Sequence, residues 1–323
     1  MKCKAYKSCI SVDAGPIWVI TSLLIGSLLF SLQCAVGNPD RPASGWELQR
    51  TEGQSFSYED AQINYLDIGS GPVVLLIHGG GTWSYSFRSI AVPLAKKYRV
   101  LILDIPGHGY SEIPESWTFT LSDVTGLLAA FLDDRGVEKA HVVGNSWGGG
   151  WAMHFALSHP EKYGHLVLID TAGHSATNEF DSSTWPYLAY PVLDWIILSA
   201  VDREAVARGY RKDLFYDGSL VSDRVIEEIA NPFLYSPNLW AQASYEKNLN
   251  WTETGTRLNE LRNVTIIWGR QDRYLPLELG QIYKERIPHS ELIIMEKAGH
   301  LPHEERPEEM VQTLMDIFAH PLE

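Results

Sequence analysis

Cysteine is nearly missing from this sequence: three occur in 323 residues, and Cys3, Cys9 and Cys34 all fall within the first 34 positions. The remaining chain therefore has no internal disulfide, no thiolate metal site and no cysteine nucleophile. Runs of Lys and Arg are lacking as well, and the formal net charge is −14. Without a clustered basic surface, nucleic acid is excluded as a partner. There is no repeat of fixed period and no low-complexity tract. With 45% hydrophobic and 20% charged residues, the chain buries enough apolar surface to fold as a globular protein.

The longest uncharged stretch lies at the amino terminus. Lys2, Lys4 and Lys7 precede residues 14–39, whose most apolar part is 17–32. A positive region followed by an apolar one reads as a targeting or anchoring segment over residues 1–37, outside fold reasoning. The positive-inside rule would place the body of the protein outside the cytoplasm, exported or held at the membrane. Two fates are open: residues 17–36 persist as a membrane-spanning helix, or Ala35-Val36-Gly37 is cleaved and the chain begins near Asn38.

Beyond that segment short apolar runs recur. Gln62 to Ile68 alternates polar and apolar, the period of a strand with one covered face. Residues 73–77, 100–103, 141–143, 166–169, 264–268 and 292–295 are continuous apolar runs, as expected of strands buried on both faces of a parallel sheet. Helical spacing separates them at 84–97, 121–135, 147–158 and 307–318. Alternating strands and helices predict an α/β fold with a doubly wound, mostly parallel sheet. From about 175 to 255 the buried-strand runs stop, and Trp, Tyr and Arg appear at helical spacing, with short helices expected at 221–230 and 238–248. The expected organisation is a core of 38–174 and 258–323 with a helical cap of 175–257.

Four motifs carry chemistry. Gly144-Asn145-Ser146-Trp147-Gly148 joins a predicted strand to a predicted helix. That context makes it a nucleophile elbow, whose glycines give room to a tight turn that lifts the serine hydroxyl off the sheet. A serine needs a base and an orienting acid, in the chain order Ser, acid, His. Asp272 and His300 each follow a predicted strand and supply that order, so Ser146, Asp272 and His300 are the expected catalytic triad. Asp170, at the end of another strand, competes for the place of the acid. His78-Gly79-Gly80-Gly81 follows the 73–77 strand. Its backbone amides can approach a substrate oxygen, and the oxyanion hole is expected at the amides of Gly80 and Trp147, with Gly81 as the alternative to Gly80. His300 and His303 match no metal-ligand spacing, so neither a metal nor a cofactor is expected. His108, in the loop after the 100–103 strand, is expected to shape the site rather than react.

These motifs, together with Asp104-x-Pro106-Gly107-x-Gly109-x-Ser111, Trp268-Gly269-Arg270-Gln271-Asp272 and Ala298-Gly299-His300-x-Pro302-x-x-Glu305-x-Pro307, resemble the α/β-hydrolase superfamily from about Ser55 to the carboxyl terminus. The resemblance implies a helical cap over the active site. It is strongest with the serine-nucleophile, cap-bearing members: carboxylesterases and the hydrolases of meta-cleavage products, which share the Gly-rich turn and the Asn before the serine. Epoxide hydrolases and haloalkane dehalogenases use an aspartate where Ser146 stands. The carbon–carbon hydrolases usually carry a tryptophan after the catalytic histidine, where this chain has Leu301. The expectation is therefore a serine hydrolase acting on a small, fairly apolar ester through an acyl-enzyme. The alternatives are a carbon–carbon bond hydrolase of meta-cleavage type and a ligand-binding protein on a hydrolase scaffold. The expected partner is a small-molecule substrate, with the membrane added if the leader is retained.

Overall fold

A computed structural model of the chain describes residues 36–174, 185–190 and 192–319. Eight strands form one sheet: β1 (Gln54–Tyr58), β2 (Ala61–Gly69), β3 (Val73–Ile77), β4 (Arg99–Leu103), β5 (Ala140–Asn145), β6 (Tyr163–Ile169), β7 (Val264–Gly269) and β8 (Glu291–Met295). Their order is β1-β2-β4-β3-β5-β6-β7-β8. β2 pairs antiparallel with β1 and β4, and from β4 onward every pairing is parallel. This is the predicted doubly wound, mostly parallel sheet.

The continuous apolar runs are explained by two cores. Alternate residues of β3, β4 and β5 point to opposite faces. Leu75, Ile77, Leu101, Leu103 and Val142 pack with Val124, Leu127 and Phe131 of α1 (Leu121–Asp134) and with Trp151 and Phe155 of α2 (Trp147–Ser158). Val74, Leu76, Val100, Ile102 and Val143 pack on the other side, with Met310, Leu314 and Phe318 of α3 (Pro307–Phe318). Each such aliphatic side chain, removed from water, stabilises the fold by about 1.5–3 kcal/mol. α1 starts on a capping box in which Thr120 accepts from the Asp123 amide. It ends just before Gly136, whose φ of +66° suits a helix terminus.

The helix expected over 84–97 is broken in two, a 3-10 turn at Ser84–Phe87 and a short helix at Ala91–Leu94. Asp104 Oδ1 accepts the Ser84 amide at 2.9 Å, and Pro93 has no amide to continue the ladder. Between β6 and β7 the described residues form no strand. They hold helices at Leu193–Ser199, Arg203–Gly209, Asp223–Phe233, Ser236–Asn248 and Thr252–Thr256.

The expected location outside the cytoplasm, by export or anchoring, is corrected. The lysines and the apolar stretch that suggested it lie outside the described residues. Among those described, no helix is long and apolar enough to cross a membrane. The first described residues are built into the fold: Val36 is buried against Leu198, Phe233 and Leu239, and Asn38 pairs with Tyr235.

Candidate active site

Because β3 and β5 to β8 run parallel, their carboxyl ends share one edge, where open α/β sheets build their sites. His78 follows β3, Ser146 follows β5, Asp170 follows β6, and Asp272 and His300 lie on the loops after β7 and β8.

Ser146 occupies a backbone conformation that L residues rarely adopt, φ +54° and ψ −123°. The turn holds because its carbonyl accepts the amides of Gly149 at 3.0 Å and Ala172 at 3.1 Å, while its own amide donates to Ile169 O at 3.0 Å. A Cβ at Gly144 would stand 2.2 Å from Gly148 O, and one at Gly148 would stand 2.2 Å from Ile77 O. Only glycine fits either place, which is the close approach expected of the elbow.

His300 and Asp272 meet directly, Nδ1 donating to Oδ2 at 2.7 Å. Asp272 Oδ1 accepts the amides of Tyr274 at 2.7 Å and Leu275 at 2.9 Å, which locks the carboxylate. Asn145 Nδ2 donates to His300 O at 3.2 Å, tying the elbow to the histidine loop. Ser146, Asp272 and His300 are all buried, and Ser146 and His300 line one cavity of about 510 Å³. Asp170 takes no part in orienting the imidazole by direct hydrogen bond; its Oδ1 accepts the Gly269 amide at 2.9 Å.

The Gly-rich turn is fixed by His78, whose Nε2 accepts the Ile105 amide at 3.0 Å, so that Nδ1 carries the proton donated to Gly79 O at 2.8 Å. Burial keeps His78 below the usual histidine range and so neutral. The Gly81 amide donates to Gln242 Oε1 at 3.1 Å. It is therefore engaged, which favours Gly80 over Gly81 as an oxyanion donor. Gly80 and Trp147 both line the cavity. His303 turns away to Ser86 Oγ at 2.9 Å, and burial pushes it down to about 3, so the two histidines do not converge on one ligand position. His108 is buried with its ring 5.0 Å from that of His78 and 5.5 Å from Tyr245, a packing role of the expected kind.

Three residues in this site were not picked out by type or spacing. Gln242 joins the inserted helices to the Gly-rich turn. Glu305 Oε1 accepts the Gly299 amide at 2.6 Å, and its Oε2 accepts those of Tyr216 at 2.9 Å and Asp217 at 3.0 Å. Arg273 stands in the cavity wall, next in the chain to Asp272. Glu305 was visible only as a letter in a motif, and nothing in the sequence marks its partners Tyr216 and Asp217 in the inserted segment.

A serine at a strained strand-to-helix turn, a histidine held by a buried carboxylate and a Gly-rich turn beside one cavity define a hydrolase. The family model for the alpha/beta hydrolase fold matches residues 72–307, and the chain belongs to that family. It is 30% identical over 279 residues to a 2-hydroxy-6-oxononadienedioate/2-hydroxy-6-oxononatrienedioate hydrolase of Paraburkholderia phymatum, covering 80% of this chain and 92% of that protein. It is 28% identical over 275 residues to a 2-hydroxy-6-oxo-6-phenylhexa-2,4-dienoate hydrolase of Burkholderia cepacia, covering 80% and 91%. Among solved structures it resembles a meta-cleavage product hydrolase of Pseudomonas fluorescens, with a TM-score of 0.69 and 25% identity, over 83% of this chain and 98% of that one. These relatives match over nine-tenths of their own length with about four-fifths of this chain.

Proposed function

We propose that the protein is a carbon–carbon bond hydrolase of meta-cleavage type, acting on a 2-hydroxy-6-oxo-dienoate through Ser146, His300 and Asp272. The observation that carries this reading is the agreement of several relatives, matched over most of their length, on that substrate class. It replaces the ester as the first expectation. His300 takes the proton of Ser146 as its oxygen attacks the ketone carbon. The oxyanion rests on the Gly80 and Trp147 amides, each contributing about 3 kcal/mol. The bond between the carbonyl carbon and its neighbour then breaks. Because the proton of the 2-hydroxy group has first moved to C5, giving the 2-keto tautomer, the electron pair leaves into the conjugated enone as a dienolate, and His300 returns its proton to that leaving fragment. Water resolves the acyl-enzyme with His300 again as base.

The helices between β6 and β7 act as a cap over this chemistry. A cavity of about 510 Å³ suits a ligand of this size. Among the described lining residues Arg273 is the one Lys or Arg side chain, and it is the candidate partner of the substrate carboxylate. Leu301 and the apolar wall of Leu188, Leu198, Val206 and Phe233 favour a second reading, a carboxylesterase for small apolar esters. The two readings separate on kcat/KM of the full-length chain for a 2-hydroxy-6-oxo-6-alkyl-hexadienoate, followed by loss of its visible absorbance, against p-nitrophenyl esters of graded length. The dienoate should be preferred by about 10⁴-fold, the scale on which a site built around polar groups of its substrate rejects compounds lacking them. A preference for any of the esters would overturn the carbon–carbon assignment.

A further inference from the structure

Behind the bond between His300 and Asp272 lies a second carboxyl, for which acyl transfer has no use. Asp170 has no exposure to solvent, and its φ of +41° is unusual for a residue other than glycine. Its Oδ1 accepts one amide, and its Oδ2 meets no donor among the described residues. One oxygen each of Asp170 and Asp272 and one ring nitrogen of His300 lie within 4.8 Å of one another.

Two carboxyls this close in a buried site do not both ionise, and their hydrogen-bond donors decide which keeps the proton. Asp272 accepts three donors: the Tyr274 and Leu275 amides and His300 Nδ1. Asp170 accepts one. No Lys or Arg is among the groups that act most strongly on Asp170. The other carboxyl that acts on Asp170 is Glu305, which adds negative field rather than relieving it.

We propose that Asp170 is a positioning residue, a carboxylic acid that keeps its proton at neutral pH and offers it to Asp272, so that the single negative charge of the pair stays on the carboxylate that holds His300. Burial first, and the neighbouring Asp272 charge next, raise Asp170 well above the usual carboxyl range, and the Gly269 amide offsets only part of this. The donated proton spreads the charge of Asp272 and thereby sets how strongly the imidazole is held and how basic it is.

The inference rests on Ser146, Asp272 and His300 being the triad, and the experiment keeps the two apart. Asp170→Asn keeps a neutral donor of the same shape, whereas Asp170→Leu keeps the shape without the donor. Acidic-limb midpoints of kcat/KM are measured for wild type and both variants, on whichever substrate is turned over. Asp170→Asn should lower kcat by about threefold or less and leave the midpoint in place. Asp170→Leu should raise the midpoint by about half a unit, because an unshared Asp272 charge favours the imidazolium, and should lower kcat more than it changes KM. A midpoint that falls by about one unit in Asp170→Asn would mean that a negative charge had been removed, and would overturn the proposal. So would an unmoved midpoint in a folded Asp170→Leu, which would make Asp170 a structural residue only. Should that variant not fold, infrared difference spectra of wild type against Asp170→Asn decide: a protonated-carboxyl band at pH 7 supports the proposal and its absence ends it. That measurement stands whether or not Ser146→Ala retains turnover, the result that would sink the triad itself.

Discussion

The strand ends that carry Ser146, Asp170 and Asp272 are walled by side chains with no exposure, among them Leu76, Ile77, Val143, Ile169, Ile267 and Trp268. The helices between β6 and β7 instead leave Tyr187, Tyr190, Val192 and Ile196 more than half exposed. One region is packed from both faces and fixes Ser146, Asp272 and His300. The other is packed from below and shapes the room above them. Substitutions at the sheet edge should therefore act on kcat, and substitutions in the inserted helices on substrate preference, KM and stability.

The largest effect should come from the sheet side. Ser146→Ala should reduce kcat/KM by about 10³-fold or more, with labelling by a fluorophosphonate lost and the unfolding midpoint almost unchanged. The stability should hold because the turn is fixed by backbone hydrogen bonds that alanine retains. Turnover at the wild-type rate would remove the sheet edge as the seat of the chemistry and with it the comparison.

Glu305 tests the seam between the two regions. Its carboxylate accepts amides from the histidine loop and from Tyr216 and Asp217 of the inserted segment, and the His300 amide donates to Leu214 O at 2.7 Å. Glu305→Gln turns an NH2 group toward at least one of these donors, leaving a buried donor unpaired at a cost of about 1–3 kcal/mol. If that cost falls on the placement of His300, kcat should drop by about 10- to 100-fold. A change confined to KM would mean that the histidine loop is held without the inserted segment, and that the two regions are less joined than the hydrogen bonds imply.

The same division explains what the sequence made legible. Runs such as Val73–Ile77 and Val264–Gly269 announce themselves because a strand covered on both faces has few polar positions. Ser146, Asp272 and His300 could be proposed as one site because each follows such a run. The 84–97 segment was misjudged because its apolar spacing suits a helix, while Asp104 and Pro93 break it from a distance and from within. Glu305 and Gln242 were silent for a different reason. They bond to backbone amides of another region, and a backbone amide leaves no trace in a sequence.

The smallest effect concerns how the inserted helices are held. Residues 36–46 run from that region to the sheet edge. Arg41 Nη1 donates to Gly109 O at 2.7 Å, and the Arg41 guanidinium lies 5.0 Å from the ring of Tyr110 and 5.1 Å from that of Tyr235. Ser44 Oγ and the Gly45 amide donate to Glu228 Oε2 at 2.8 and 3.2 Å, and Trp46 packs edge-on against Trp83 and Tyr85. Glu228 is buried on the helix Asp223–Phe233, whose last residue, Phe233, lines the cavity. Glu228→Ala leaves two donors without their acceptor and should lower stability by about 1–3 kcal/mol, read as an earlier urea midpoint. Because none of the reacting groups touches Glu228, kcat should stay within about twofold, while KM rises as the Phe233 wall loosens. An unaltered urea midpoint would mean that the inserted helices stand without this strap. A fall in kcat as large as that of Glu305→Gln would mean that the outer region positions the reacting groups after all.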